Sequence, residues 1–149
     1  MQIGQLCNRR VVVARRMESA AEIARLMRDE HVGSVVLVDE RDGQRVPVGI
    51  VTDRDLVLTV VADNRACEAT PIGKVMSEDL YCATEEQDVY EVLEQMRARG
   101  IRRVPVVDGS RTLQGIFSFD DMVEWTSAQL AEMTRLIQRE QRRERDASE

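Results

Sequence analysis

A chain of 149 residues, 43% hydrophobic and 32% charged, has enough apolar material for one packed domain or two small ones sharing a core, and too much for a disordered polymer. Its 21 basic and 27 acidic residues leave a net charge of −6, which excludes a nucleic-acid or anionic-membrane partner held by bulk electrostatics. No apolar run approaches the roughly 20 residues of a membrane-spanning helix. The chain does not open on a charged segment followed by an apolar leader, so a cytoplasmic protein is expected.

Cys7, Cys67 and Cys82 lie far apart without CxxC spacing, which argues against a disulfide framework and a zinc site. With His31 as its one histidine, the chain has almost no material for a Cys–His nucleophile or a histidine metal site, so no catalytic and no metal residues are assigned. No GxGxxG turn supports a nicotinamide or flavin site. Aromatics are 3% of the chain, too few for a single-strand stacking platform.

In chain order the elements repeat themselves. Ile3 to Asp39 aligns with Ile72 to Asp108 without a gap, with identities that include Gly4/Gly73, Ala14/Ala83, Met27/Met96, Val35/Val104 and Asp39/Asp108. After a loop that is longer in the first copy, Gly49-Ile50 matches Gly115-Ile116 and Asp55 matches Asp121. In each copy an apolar stretch (Val11–Val13; Leu80–Cys82) reads as a strand. Next come apolar residues at helical spacing: Ala20, Ile23, Ala24 and Met27, then Val89, Val92, Leu93 and Met96. β-Branched runs at Ser34–Asp39 and Arg103–Asp108, closed by turn residues, pair with Val48–Val51 and Leu113–Phe117 as hairpins. A second helix is predicted to start at Thr52 or Ser118.

The expected fold is therefore α+β (α/β by some schemes): two β-α-β-β-α repeats, each too small to hold a core alone, packed sheet to sheet. The boundaries are 3–62 for the first repeat, 63–71 for a linker, 72–138 for the second repeat with an extended C-terminal helix, and 139–149 for a charged tail expected to fray. Val123, Leu130 and Ile137 recur every seven residues in that last helix, with Met133 between them. The pattern suits packing on a partner chain or on the molecule's own core.

Both copies of the segment Gly49-Ile50-Val51-Thr52-Asp53-Arg54-Asp55 and Arg103-Val104-Pro105-Val106-Val107-Asp108 with Gly115-Ile116-Phe117-Ser118-Phe119-Asp120-Asp121 make the sequence resemble a tandem pair of cystathionine-β-synthase-type (CBS) domains, a Bateman module. The resemblance covers nearly the whole chain and implies a stand-alone, non-catalytic regulatory module. Its expected ligand carries adenosine (AMP, ADP or ATP, with S-adenosylmethionine or NAD as further members of the class), bound in clefts between the repeats as a regulator, with no cofactor required. It further implies a homodimer and a downstream partner protein that reads the bound state. A ligand-free interaction scaffold is the alternative.

By the same resemblance, Thr52 with Asp55 and Ser118 with Asp121 would hold ribose, since a carboxylate accepts hydrogen bonds from vicinal hydroxyls. The same spacing is also a capping box, in which hydroxyl and carboxylate satisfy the helix's own amides. Val13, Val36 and Ile50 in the first copy, and Cys82, Pro105 and Ile116 in the second, would line the adenine slots. Many family members carry a threonine where this chain has Val13 and Cys82. Arg54, Arg102 and Arg103 are the expected phosphate contacts. The first copy has Gly33 and Ser34 in place of Arg102 and Arg103, so unequal sites are expected.

Overall fold

The computed structural model describes residues 1–77 and 79–147. Its elements are β1 (Val13–Ala14), α1 (Ala20–Glu30), β2 (Ser34–Arg41), β3 (Gln44–Thr52) and α2 (Asp53–Asp55, continued as a π-helix over Leu56–Val61). They recur as β4 (Ala83–Thr84), α3 (Val89–Arg99), β5 (Arg103–Val107), β6 (Leu113–Ser118) and α4 (Phe119–Asp146). Two sheets of three strands result, ordered β1-β2-β3 and β4-β5-β6, each with one parallel and one antiparallel pairing. The sheets approach one another through β3 and β6.

Local chemistry explains where the elements stop. Ser19 accepts from the Glu22 amide while Glu22 returns the bond to the Ser19 amide, a full capping box at the start of α1. At the other end, His31 (φ 55°) and its counterpart Gly100 (φ 65°) both close their helices in the left-handed conformation. His31 thus serves as a helix cap. Asp42 and Gly43, both at positive φ, form the two-residue connection that the twist of a β2–β3 hairpin favours.

Three expectations shift. The first strands pair one or two residues later than the apolar stretches Val11–Val13 and Leu80–Cys82, because Val13–Ala14 and Ala83–Thr84 are the residues that meet β2 and β5. In the first copy the second helix tightens into only one α-turn before widening into the π-helical stretch, which buries Leu56 and Val60 against the first core. The charged tail continues as helix through Asp146, its arginines and acids interleaved on an exposed surface; Ser148 and Glu149 lie outside the described residues.

Each core lies between its sheet and its first helix: Ile23, Met27, Val35, Leu37 and Val51 in one half, Val89, Val92, Met96, Val104, Val106 and Phe117 in the other. The opening turns of the two copies are exchanged. Ile3, fully buried, completes the second core, and Ile72, equally buried, completes the first. The exchange is anchored by matching backbone bonds: the Ile3 and Gly4 amides donate to the Gln87 and Glu85 carbonyls, and the Ile72 and Gly73 amides to those of Glu18 and Arg16. A Cβ on Gly4 would lie 3.0 Å from the Glu85 oxygen, and one on Gly73 3.1 Å from the Arg16 oxygen, so the contact itself demands glycine in both copies. A packed half and a sequence repeat are consequently not the same set of residues.

Candidate functional site

The end of β3 and the end of β6 each deliver a hydroxyl residue followed by a helical turn. Thr52 Oγ1 accepts from the Asp55 amide at 3.1 Å, and Asp55 Oδ2 accepts from the Thr52 amide at 2.8 Å. In the second copy Ser118 Oγ accepts from the Asp121 amide at 3.1 Å, while Asp121 Oδ2 accepts from both the Ser118 amide at 3.1 Å and the Ser118 hydroxyl at 2.6 Å. The capping reading of this spacing is thus realised twice. It uses one carboxylate oxygen of each aspartate. The Oδ1 atoms of Asp55 and Asp121, on half-buried side chains, make no hydrogen bond among the described residues and remain acceptors.

The six apolar residues sort into two rows. Val13 stands opposite Val36, and Val36 opposite Ile50, so these three form one cross-strand line over β1, β2 and β3. Pro105 stands opposite Ile116, and Cys82 directly precedes Ala83, the partner of Val106, which sets Cys82 beside Pro105. Because strand side chains alternate faces, both rows point away from the helix-covered cores that hold Val35, Leu37, Val104 and Val106. Val36 has no exposed surface and Pro105 is buried, so both can only floor a slot. Val13, Ile50, Cys82 and Ile116 are partly exposed and supply its walls. Burial pushes the Cys82 thiol above its ordinary pKa, against a smaller opposing effect of Arg111, so it is a neutral apolar-like wall at physiological pH.

The arginines separate. Arg103, half-buried at the start of β5, reaches across to the first repeat: a Cβ placed on Gly33 would lie 3.7 Å from Arg103 Nη2 and 3.4 Å from Asp53 Oδ2. Its Nη2 also lies 3.9 Å from Asp120 Oδ2. Arg102 is exposed and bound to Asp120 Oδ1 at 2.5 Å. The Arg54 guanidinium is exposed and has no protein partner among the described residues. A backbone pair holds each junction: the Asp53 amide donates to Gly33, and the equivalent Phe119 amide donates to Arg102. The acids Asp53 and Asp120 were not among the expected site residues. They stand in the sequence only as the acidic members of Thr-Asp-Arg-Asp and Ser-Phe-Asp-Asp.

Other charged clusters are internally satisfied. Arg9, Arg10, Arg15 and Arg16 pair with Glu85, Glu30, Glu40 and Asp39 respectively, an ion-paired rim. Among the described residues no group of three or more His, Cys, Asp or Glu is placed to hold a metal ion. An apolar hollow of about 610 Å³ opens elsewhere, between α3 and the start of α4, lined by Tyr90, Leu93, Ile101 and Phe119. No helix among the described residues is long and apolar enough to cross a membrane.

Comparison with known proteins agrees with this geometry. The family model described as CBS domain matches twice, over residues 3–62 and 72–128. An uncharacterized protein of Methanopyrus kandleri is 36% identical over 124 residues, covering 83% of this chain and 62% of its own length. A CBS domain-containing protein of Bacillus subtilis, YhcV, is 32% identical over 105 residues, 70% of this chain and 71% of its own. Among solved structures, a CBS domain protein of Pyrobaculum aerophilum complexed with AMP is 26% identical with a TM-score of 0.73, over 81% of this chain and 89% of that one. The CBS domain pair of protein MJ0100, in complex with 5′-methylthioadenosine and S-adenosyl-L-methionine, is 25% identical with a TM-score of 0.74, over 85% and 99%. Two family matches laid over two exchanged halves, each ending its hairpin on a hydroxyl–carboxylate step, make this chain a member of the CBS-domain family, built as a tandem pair.

Proposed function

We propose that the chain is a non-catalytic regulatory module that takes an adenosine-containing ligand of the AMP, ADP or ATP class in the clefts between its repeats and passes the change to a partner protein. The observation that carries the reading is the pair of half-buried aspartates, Asp55 and Asp121, each with one oxygen locked in a helix cap and the other unpartnered. A cap fixes the carboxylate in place, and the open oxygen is then a preset acceptor for ribose hydroxyls. The rows Val13–Val36–Ile50 and Cys82–Pro105–Ile116 offer apolar floor and walls for a base. Relatives solved with AMP and with adenosyl ligands support the ligand class.

Arg103 supplies the route from ligand to shape. It belongs to the second repeat but lies against Gly33 of the first. A phosphate that recruits this guanidinium draws it from Asp120 and from its place against Gly33, and so favours one relative arrangement of the halves. The ligand acts as a regulator, and the module works as a homodimer in the cytoplasm. Isothermal titration with AMP, ADP, ATP and S-adenosylmethionine tests the reading, repeated on Asp55→Ala and Asp121→Ala after checking that both still melt cooperatively. Binding lost in one or both variants is the expected result. Binding indifferent to both overturns the residue assignment, and no heat with any ligand overturns the ligand class.

One observation favours a ligand-free scaffold: the first-strand positions Val13 and Cys82 offer no hydroxyl to a base or sugar. Thermal melting separates the two readings, because a ligand that binds only the folded state raises the melting temperature and a pure scaffold does not respond.

A further inference from the structure

From Val123 to Asp146 every residue of α4 is exposed, so the helix stands clear of both cores over a length of about 36 Å. The expectation that Val123, Leu130 and Ile137 pack on the molecule's own core is therefore not met: they are 48%, 60% and 53% exposed, and Met133 and Leu136 more so. A lone helix in water is marginal, and this one is strongly one-sided.

Taking Val123, Leu130 and Ile137 as one seam, with Thr126 and Met133 between them, the flanking positions are Met122, Ser127, Gln129, Thr134 and Leu136. That half of the helix carries no charge from Met122 to Ile137. Its two seam-side threonines turn their hydroxyls inward, Thr126 Oγ1 to the Met122 carbonyl at 2.8 Å and Thr134 Oγ1 to the Leu130 carbonyl at 3.0 Å, so they present methyl groups outward. The charges Glu124, Glu132, Arg135, Arg139 and Arg142 all fall on the opposite half, where Glu132 and Arg135 pair with each other. Segregation of this kind, on a helix exposed along its whole length from Val123 onward, marks a covered face.

The ends of the helix say what covers it. Its start carries Asp120, Asp121 and Glu124, and its last two turns carry Arg139, Arg142, Arg143 and Arg145 among fewer acids. Glu124, Arg139 and Arg142 have no ion pair within the chain among the described residues. Two copies laid antiparallel with Leu130 against the second copy's Met133 also set Ile137 against Thr126 and bring the arginine-rich end of each helix alongside the acidic start of the other, twice over by symmetry. A parallel pair would stack like-charged ends and align the helix dipoles. We infer that the exposed length of α4 is a self-association surface, which pairs antiparallel with α4 of a second copy of this chain.

The test is independent of any ligand. Analytical ultracentrifugation of the full chain reads the assembly mass for the native protein and for Leu130→Glu and Met133→Glu. The single glutamate variants should halve the mass while each still melts in one cooperative transition, since neither side chain belongs to a core. Orientation is read by mixing Thr126→Cys with Ile137→Cys under mild oxidation and identifying the linked peptides by mass spectrometry. Antiparallel pairing joins the two different variants; each variant joining its own kind overturns the orientation. A monomeric native chain, or an assembly indifferent to Leu130→Glu, overturns the surface itself.

Discussion

The two repeats place the same backbone around different chemistry. Val51 and Phe117 occupy equivalent, fully buried positions, and Gly49 and Gly115 face the sulfur atoms of the equivalent residues Met76 and Cys7, which would lie 2.5 and 2.7 Å from an added Cβ. Yet Gly33 and Ser34 stand where the second copy has Arg102 and Arg103, and the second helix is a short, partly π-helical turn in one copy and 28 residues long in the other. Symmetry is kept where strands pair and turns are exchanged, and abandoned at the centre of the cleft and at the protruding helix. The scaffold is thus duplicated, whereas the arginine pair Arg102-Arg103 and the assembly surface belong to the second half alone.

The strongest break in that symmetry comes from the cores. Phe117→Ala empties a large, fully buried volume and should cost about 3–5 kcal/mol, whereas Val51→Ala at the equivalent position removes fewer atoms and should cost less, roughly 2 kcal/mol. Urea denaturation followed by far-UV circular dichroism measures both. Because Ile3 belongs to the second core and Ile72 to the first, each variant should still unfold in one transition. Two separated transitions for Phe117→Ala would show that the exchanged turns do not couple the halves.

Most of this scaffold was legible in the sequence, because the duplication doubles every signal. The helical spacing of Ile23 and Met27 reappears in Val92 and Met96, and the caps at Thr52 and Ser118 begin the helices where the pattern places them. What sequence could not show is the exchange of Ile3 and Ile72, since identical turns fit either core equally well by composition. Nor could it place Arg103 beside Gly33, a contact between residues 70 positions apart that only the packing of the halves creates. The acids Asp53 and Asp120 escaped for a related reason: Asp120 meets Arg102 and Arg103 only once β6 has returned beside β5, and Asp53 comes to the face of Gly33 only in the fold.

At the cleft the asymmetry should appear as unequal charge dependence. Replacing Arg103 by Gln removes a half-buried guanidinium and should weaken nucleotide binding by about tenfold, the scale of one charge-assisted hydrogen bond. Arg102→Gln should do less, since that side chain is exposed and already held by Asp120 at 2.5 Å. Titration calorimetry with AMP at two salt concentrations reads both effects. An equal loss from the two variants would place the phosphate outside the junction of the halves.

The caps differ more gently. Ser118 both accepts from the Asp121 amide and donates to Asp121 Oδ2, while Thr52 only accepts from the Asp55 amide. Ser118→Ala should therefore cost about 1 kcal/mol and Thr52→Ala somewhat less, measured by the same urea titration. A larger loss at Thr52 would mean that the short α2 depends on its cap more than the long α4 does.

The smallest contrast lies between two aspartates that are identical in the alignment. Asp39 is hydrogen-bonded by Arg16, with Arg41 close behind, whereas Asp108 accepts from the Ser110 and Thr112 amides at 2.8 and 3.0 Å and from Gln114 Nε2 at 2.9 Å. The Arg16 hydrogen bond holds the Asp39 carboxyl below its usual pKa. A carboxyl whose folded value is depressed adds stability that is complete above its unfolded value, near 3.9, and is lost as pH falls through the folded value. Arg16→Gln should therefore raise the Asp39 titration midpoint observed by carboxyl NMR and make the protein less stable at neutral pH than at pH 3 relative to the native chain. Both side chains are partly exposed, so the difference should be small and should shrink further at high salt. An Asp39 midpoint unmoved by Arg16→Gln would show that Arg41 alone suffices to hold the carboxylate.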